Sequence, residues 1–354
     1  MKLLKHSLKA RVFWLLASFM ALLISSPVPG LQAQKSRDEN QGTTTWIQQD
    51  GGEKRRLEIR GKAEFSDNYT DITSVSDGGW VIVEEVHRGE SRRYEVRRDG
   101  AGQITRSFYL NGTARPLDDN ARVWLAKLVL DAVRQGGIDA EKRVKTILAQ
   151  RGVAGVLAEI DQITGDYAKR IYFEQLLKQA NLDTTAMRDV LHRVARDISS
   201  DYEQAQLLIA TGPILTGRDV AIQAYFDAIA TIGSDYEHSR VLKKLLKQES
   251  LSSASLVLVA SSTKSISSDY ERHGVLSELA KTRNQSEEVL RLLLDSATEM
   301  SSDYEKASLL VEVSNVYTGD ARLKSAFLKA VETIKSDYER GRVLSALLKN
   351  KQIG

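Results

Sequence analysis

The motif Ser-Asp-Tyr-Glu occurs at Ser200, Ser234, Ser268, Ser302 and Ser336, and a variant, Gly165-Asp166-Tyr167, precedes them. The aspartates fall at 166, 201, 235, 269, 303 and 337, one step of 35 residues and then four of 34. Self-similarity at a fixed period of this size marks a stacked architecture, because one such unit cannot bury its apolar face alone. A degenerate first copy is expected at Asp139-Ala140-Glu141-Lys142-Arg143.

Each copy reads as a helix start. The serine oxygen can accept from the amide three residues on, and the glutamate can reach back to the serine's own amide. The aspartate, at the first helical position, meets the positive end of the helix dipole. Apolar residues then recur five, six, nine and ten places after the tyrosine: Val241, Leu242, Leu245 and Leu246 follow Tyr236, and Tyr172, Phe173, Leu176 and Leu177 follow Tyr167. That is one face of a helix. A second stripe later in the unit (Leu290, Leu293, Leu294, Ala297, Met300) predicts a second helix. The expectation for 117–354 is an α-solenoid of about six two-helix units. The length is that of a tetratricopeptide repeat, but there is no Trp-x-x-Leu-Gly run and no closing proline, so a HEAT-like unit describes it better. A residue present in every unit is what inter-repeat packing requires. Each tyrosine is therefore expected in the groove between neighbouring units, with Tyr236 and Tyr270 largely buried.

Upstream the pattern changes. From 43 to 116, short aromatic and β-branched runs lie between turn signals at Gly51-Gly52, Asp77-Gly78-Gly79, Gly89, Asp99-Gly100 and Asn111-Gly112. These predict an antiparallel meander of five or six strands and an α+β chain overall. Residues 34–42 are polar and unpatterned and are expected to form a linker. Residues 1–33 read as a signal peptide: Lys2, Lys5, Lys9 and Arg11, then an uncharged stretch from Val12 to Ile24, then the breaker Ser25 to Gly30. The stretch is short for a membrane span, which needs ~20 apolar residues. Cleavage is expected near Gly30 or Ala33, with an uncleaved N-terminal membrane anchor as the alternative. The chain's net charge of +3 includes those four cations, so the remainder carries −1.

The residue inventory narrows the chemistry. With no cysteine, disulfide frameworks, thiolate metal sites and cysteine nucleophiles are excluded. No His-Glu-x-x-His, Gly-x-Ser-x-Gly, phosphate-binding P-loop or dinucleotide fingerprint is present. The histidines (His6, His87, His192, His238, His273) show no ligand spacing and are expected on solvent-facing surfaces, so no metal, cofactor or catalytic residue is assigned. A ladder of tyrosines beside Arg272, Lys306 and Arg340 could stack on bases or sugars. From Gly165 onward, however, 25 Lys and Arg face 26 Asp and Glu, and nucleic acid demands a basic footprint. The stretch Arg88 to Arg98 offers an anion-binding face, but Glu90 and Glu95 within it, with Glu84, Glu85 and Asp99 beside it, favour a solvated ion-paired strand surface.

The SDYE units resemble helical repeats in exported regions of bacterial regulatory proteins. Among these are the regions following the membrane-embedded metalloprotease of β-lactam-sensor-type transducers. The likeness covers residues 62–354, including the run FYLNGTARPLDD before the helices. The protease motif and the multiple membrane spans are absent here, so the resemblance implies an extracytoplasmic sensing or interaction role and no proteolysis. The expectation is a non-enzymatic periplasmic or secreted protein that binds a protein partner, not nucleic acid, through its solenoid. The alternatives are an envelope enzyme with a carboxylate site in the β domain and a structural envelope component.

Overall fold

The computed structural model describes residues 32–38, 42–215, 219–248, 251–282, 285–316 and 321–350. The expected signal segment up to residue 31 lies outside them. Two architectures follow one another: an antiparallel sheet covered by one helix, then helices packed in two layers.

The sheet has the order β1-β2-β3-β6-β7-β8-β9, from β1 (Gln32–Asp38), β2 (Thr43–Asp50), β3 (Glu53–Arg60), β6 (Trp80–His87), β7 (Glu90–Arg98), β8 (Ile104–Leu110) and β9 (Thr113–Arg115). A two-stranded hairpin, β4 (Ala63–Phe65) and β5 (Ile72–Val75), is inserted between β3 and β6. The glycine turns do what the sequence requires of them: Asn111 and Gly112 both take positive φ (48° and 77°), the two-residue turn whose twist matches the flanking strands. Six of the seven strands of the large sheet thus fall within 43–115, as expected, and the hairpin adds two more. The linker expectation for 34–42 needs correction. Gln32–Asp38 pairs with residues 43–49 of β2 as an edge strand. Main-chain pairing at an edge needs no apolar pattern, so composition gave no sign of it.

Alternate residues of the strands (Trp46, Leu57, Ile59, Val81, Val83, Tyr94, Val96, Phe108) bury one face. They share a core with Trp124, Leu125, Leu128, Val129, Ala132 and Val133 of α1 (Asp119–Gly136). This moves the expected boundary at 116/117. The first helix belongs to the β unit, and the second core begins at Ala140. Gly136 permits the close approach, since a Cβ there would stand 3.0 Å from Trp46 Cδ1.

Past α1 comes α2 (Ala140–Ile160), broken at Gly152 (φ 64°) into two helical segments that form a first, irregular unit. Regular units follow, each with an inner helix begun by the motif and, for all but the last among the described residues, an outer helix behind it. The inner helices are α3 (Asp166–Gln179), α5 (Asp201–Thr211), α7 (Asp235–Leu246), α9 (Asp269–Ala280), α11 (Asp303–Ser314) and α13 (Asp337–Lys349). The outer ones are α4 (Thr184–Asp197), α6 (Asp219–Ile229), α8 (Ser253–Ser262), α10 (Glu287–Glu299) and α12 (Ala321–Glu332). Inner helices pack on inner helices and outer on outer along the whole array, which makes it a helical solenoid. The predicted stripes line the shared core, from Tyr172, Phe173, Leu176 and Leu177 through Leu293, Leu294 and Ala297 to Val343 and Leu347.

Candidate functional site

Because the units repeat, each motif position can be asked what it does in every copy. Serine caps its helix: Ser200, Ser234, Ser268, Ser302 and Ser336 each accept from the amide of the glutamate three residues on. The return half of the expected capping box is not made. The serine's own amide is already given to the aspartate of the unit before. Asp166 Oδ2 accepts from Ser199 N (2.9 Å) and Ser200 N (2.7 Å), and Asp201 accepts from Gly233 N (3.1 Å) and Ser234 N (2.8 Å). Asp235, Asp269 and Asp303 repeat the arrangement onto Ser267 and Ser268, Ser301 and Ser302, and Lys335 and Ser336. The aspartate is thus an inter-unit strap as well as a dipole partner. Its ionised form is the better acceptor: the Ser336 amide above all holds the Asp303 carboxyl below its ordinary range.

The freed glutamates take cations or other donors, mostly from the unit before. Glu203 meets Arg170 (2.5 Å), Glu271 meets Lys243 (3.0 Å) and the Ser239 hydroxyl, and Glu305 meets His273 (2.6 Å). Glu237 and Glu339 pair within their own helices, with Arg240 and Arg342. Two positions before each helix cap, Gly165 or serine, stands a buried apolar residue outside the four-residue motif: Ile163, Ile198, Ile232, Ile266, Met300 and Ile334. It keeps the same spacing as the motif, so the signal was present in the sequence.

The tyrosine behaves differently, and the packing expectation is overturned. Tyr202, Tyr236, Tyr270, Tyr304 and Tyr338 are 54, 60, 70, 58 and 79% exposed, and Tyr167 is 39% exposed. They stand in a row along the edge of the solenoid formed by the amino ends of the inner helices. Arg240 lies over the ring of Tyr202 (5.4 Å) and Arg342 over that of Tyr304 (5.2 Å), each reaching back from the following unit, while Arg170 lies over Tyr167 within one helix (5.3 Å). Among the described residues, the Tyr236, Tyr270 and Tyr338 rings carry no such cover and their hydroxyls no hydrogen bond.

The cations expected beside the tyrosines are turned inward. Arg272 and Arg340 donate to the Ile266 and Ile334 carbonyls, and Lys306, buried, donates to the Thr333 carbonyl (3.2 Å). At the same position of other units, Lys169 bonds the Asp197 carbonyl (2.8 Å), Gln204 the Ala228 carbonyl (3.1 Å), and His238 Nε2 meets Ser262 Oγ (2.9 Å). Two histidines therefore depart from the solvent-facing expectation. His238 is buried, its pKa lowered chiefly by desolvation, and His273 is mostly covered between Glu305 and Glu312. No group of three or more potential metal ligands occurs among the described residues.

On the sheet, the Arg88 to Arg98 stretch is ion-paired. Arg92 pairs with Glu90, Arg93 and Arg97 with Glu95, and Arg98 with Asp77. A cavity of about 460 Å³ lined by Glu53, Glu85, His87, Arg88, Glu90 and Arg92 opens at the end of β6. Its carboxylates are held by arginines, with Arg55 on both Glu53 (2.7 Å) and Glu85 (3.0 Å). In comparisons with known proteins, no family model, no curated protein and no solved structure matches the chain.

Proposed function

We propose that this chain is an exported, non-enzymatic binding or sensing protein whose solenoid edge holds a protein partner. The observation that carries the reading is the tyrosine row. Every other recurring motif position has a task inside the fold: the apolar residue fills the core, serine caps, aspartate straps, glutamate pairs. Only the tyrosine recurs as a large aromatic side chain left exposed. Large exposed aromatics are unfavourable to keep for stability alone, and Tyr combines a sizeable contact area with few torsions to immobilise, which is why it dominates binding hot spots. The row supplies six of the nine large hydrophobic side chains that stand exposed on the described surface. Export rests on the basic and apolar character of the first 33 residues.

A photo-crosslinking side chain placed at Tyr236, in the native envelope, is the test. A discrete protein adduct at Tyr236 and Tyr270, absent when the group sits at exposed Val123 in the β unit, is the expected result. Labelling equally weak at all three positions would overturn the reading.

A further inference from the structure

The row also constrains the shape of what it binds, and the following rests on the binding reading above. We infer that the partner presents an extended, proline-rich segment in polyproline II conformation, laid along the tyrosine edge across successive units.

The argument begins with spacing. The inner helices that carry the tyrosines pack directly on one another, and packed helices stand 8–10 Å apart between axes. A ligand must offer an equivalent face at that interval. A polyproline II helix has three residues per turn and rises 3.1 Å per residue, so it repeats about every 9.3 Å. A β-strand shows the same face every ~6.8 Å and falls out of step within two units. An α-helix presents a stripe some 100° wide and calls for a groove that accepts several neighbouring anchors. Here the exposed aromatics form a single row, one ring to a unit, flanked by ion-paired Glu203, Glu237, Glu271, Glu305 and Glu339.

Hydrogen-bonding capacity points the same way. The carbonyls of a polyproline II backbone have no internal partners. The hydroxyls of Tyr236, Tyr270 and Tyr338 are unengaged in the described structure and can donate to them. Proline rings stack on aromatic faces, and aromatic-lined grooves are the recurrent way such segments are read. A glycan strand would also suit stacked rings, but its hydroxyls call for free carboxylate or amide groups beside them. On this edge Asp201, Asp235, Asp269 and Asp303 are committed to backbone amides and the glutamates to their own pairs. Arg240 and Arg342, lying over Tyr202 and Tyr304, hold the rings on either side of Tyr236 and Tyr270 in place before a ligand arrives.

Fluorescein-labelled oligoprolines of about six, twelve and eighteen residues, spanning roughly two, four and six turns, test this on the full chain by fluorescence anisotropy. Affinity should rise with each added length. The double substitution Tyr236→Ser, Tyr270→Ser should weaken the longest peptide at least about tenfold, as expected for two hot-spot aromatics, with the melting temperature unchanged. Binding that does not depend on length or on the tyrosines would overturn the inference. So would tighter binding of an amphipathic helical peptide that the same substitutions abolish, which would leave the protein-binding reading standing. Tyrosine-dependent binding of a chitin oligomer in place of both peptides would overturn the two together.

Discussion

The exposure of the tyrosine follows from where it stands on its helix. At 100° per residue, positions five, six, nine and ten after the tyrosine centre on a direction about 150° away from it. The tyrosine therefore points nearly opposite the buried stripe, and the stripe alone contained that information. Two residues after the tyrosine the direction is about 200°, nearly the centre of the stripe. This is where Lys169, Gln204, His238, Arg272, Lys306 and Arg340 stand, polar residues aimed inward. Recurrence said that the position mattered; only the angle said to which side. The expected effect of Tyr270→Ala is accordingly small, within about 0.5 kcal/mol as for surface positions without special roles. Calorimetry should show an unchanged melting temperature, and a loss approaching 3 kcal/mol would restore the packing reading. The aspartate is the opposite case. Asp235→Ala removes a charged acceptor from the amides of Ser267 and Ser268 (2.8 Å to the latter), and bonds to charged groups contribute about 1.5–3 kcal/mol. Ser234→Ala loses only one cap, worth roughly 0.5–2 kcal/mol. Chemical denaturation of the two variants should rank the aspartate above the serine.

At the scale of helices, the inward polar residue closes the carboxyl end of the outer helix, whose last carbonyls lack partners in their own helix. Lys306 reaches Thr333 and Lys169 reaches Asp197 in this way, each within its own unit. His238 occupies the same position, and burial disfavours its cation, so its folded pKa lies below the ordinary value of about 6.5. The sign follows from proton uptake. Between the folded and the ordinary pKa the unfolded chain binds the proton and the folded chain does not. Stability is whole above about pH 6.5 and declines as pH falls below it toward the folded value. His238→Gln, which copies Gln204 of the preceding unit, should remove that part of the decline. Melting temperatures of both proteins between pH 7 and pH 5 check it, and parallel curves would show that His238 does not titrate on unfolding. The helix-start motif, both stripes and the glycine turns were legible because each is local. The straps from Asp to the next unit were not, since a serine amide has two candidate acceptors in sequence, its own glutamate and an aspartate 33 or 34 residues before it, and only stacking decides between them.

In the whole molecule, the feature hardest to read was the joint between sheet and solenoid. The hydropathy pattern changes at Pro116, yet the change of core comes near residue 139, because α1 shows a helical period while burying its face on strands. The joint is polar and enclosed. Glu159, in the second half of α2, is buried and receives Arg134 of α1 (2.6 Å) and Arg143 (Nε 2.9 Å). Desolvation pushes its pKa up, but the hydrogen bonds and charges of the two arginines more than offset this, and the net shift is downward. Arg143 also lies over the ring of Tyr69 (4.8 Å), whose hydroxyl donates to Asp139 (2.9 Å), the residue where the degenerate repeat copy begins. Asp139 sits in a left-handed conformation (φ 52°) and gives its side chain to Tyr69, so the first repeat lacks its cap and takes a tie to the sheet instead. Glu159 therefore neutralises one arginine from each side of the joint. Glu159→Ala would leave both cations in a largely buried setting without their counter-charge, a change that costs about 3–5 kcal/mol when a buried pair is broken. Because Arg134 belongs to the core of the β unit and Arg143 to the solenoid, the loss falls on their coupling more than on either core. The variant should unfold in two calorimetric steps, with hydrogen exchange assigning one to the sheet with α1 and the other to the helices from α3 onward. A single transition shifted as a whole would mean that the packing of α1 against α3 across the joint suffices to keep the two cores cooperative.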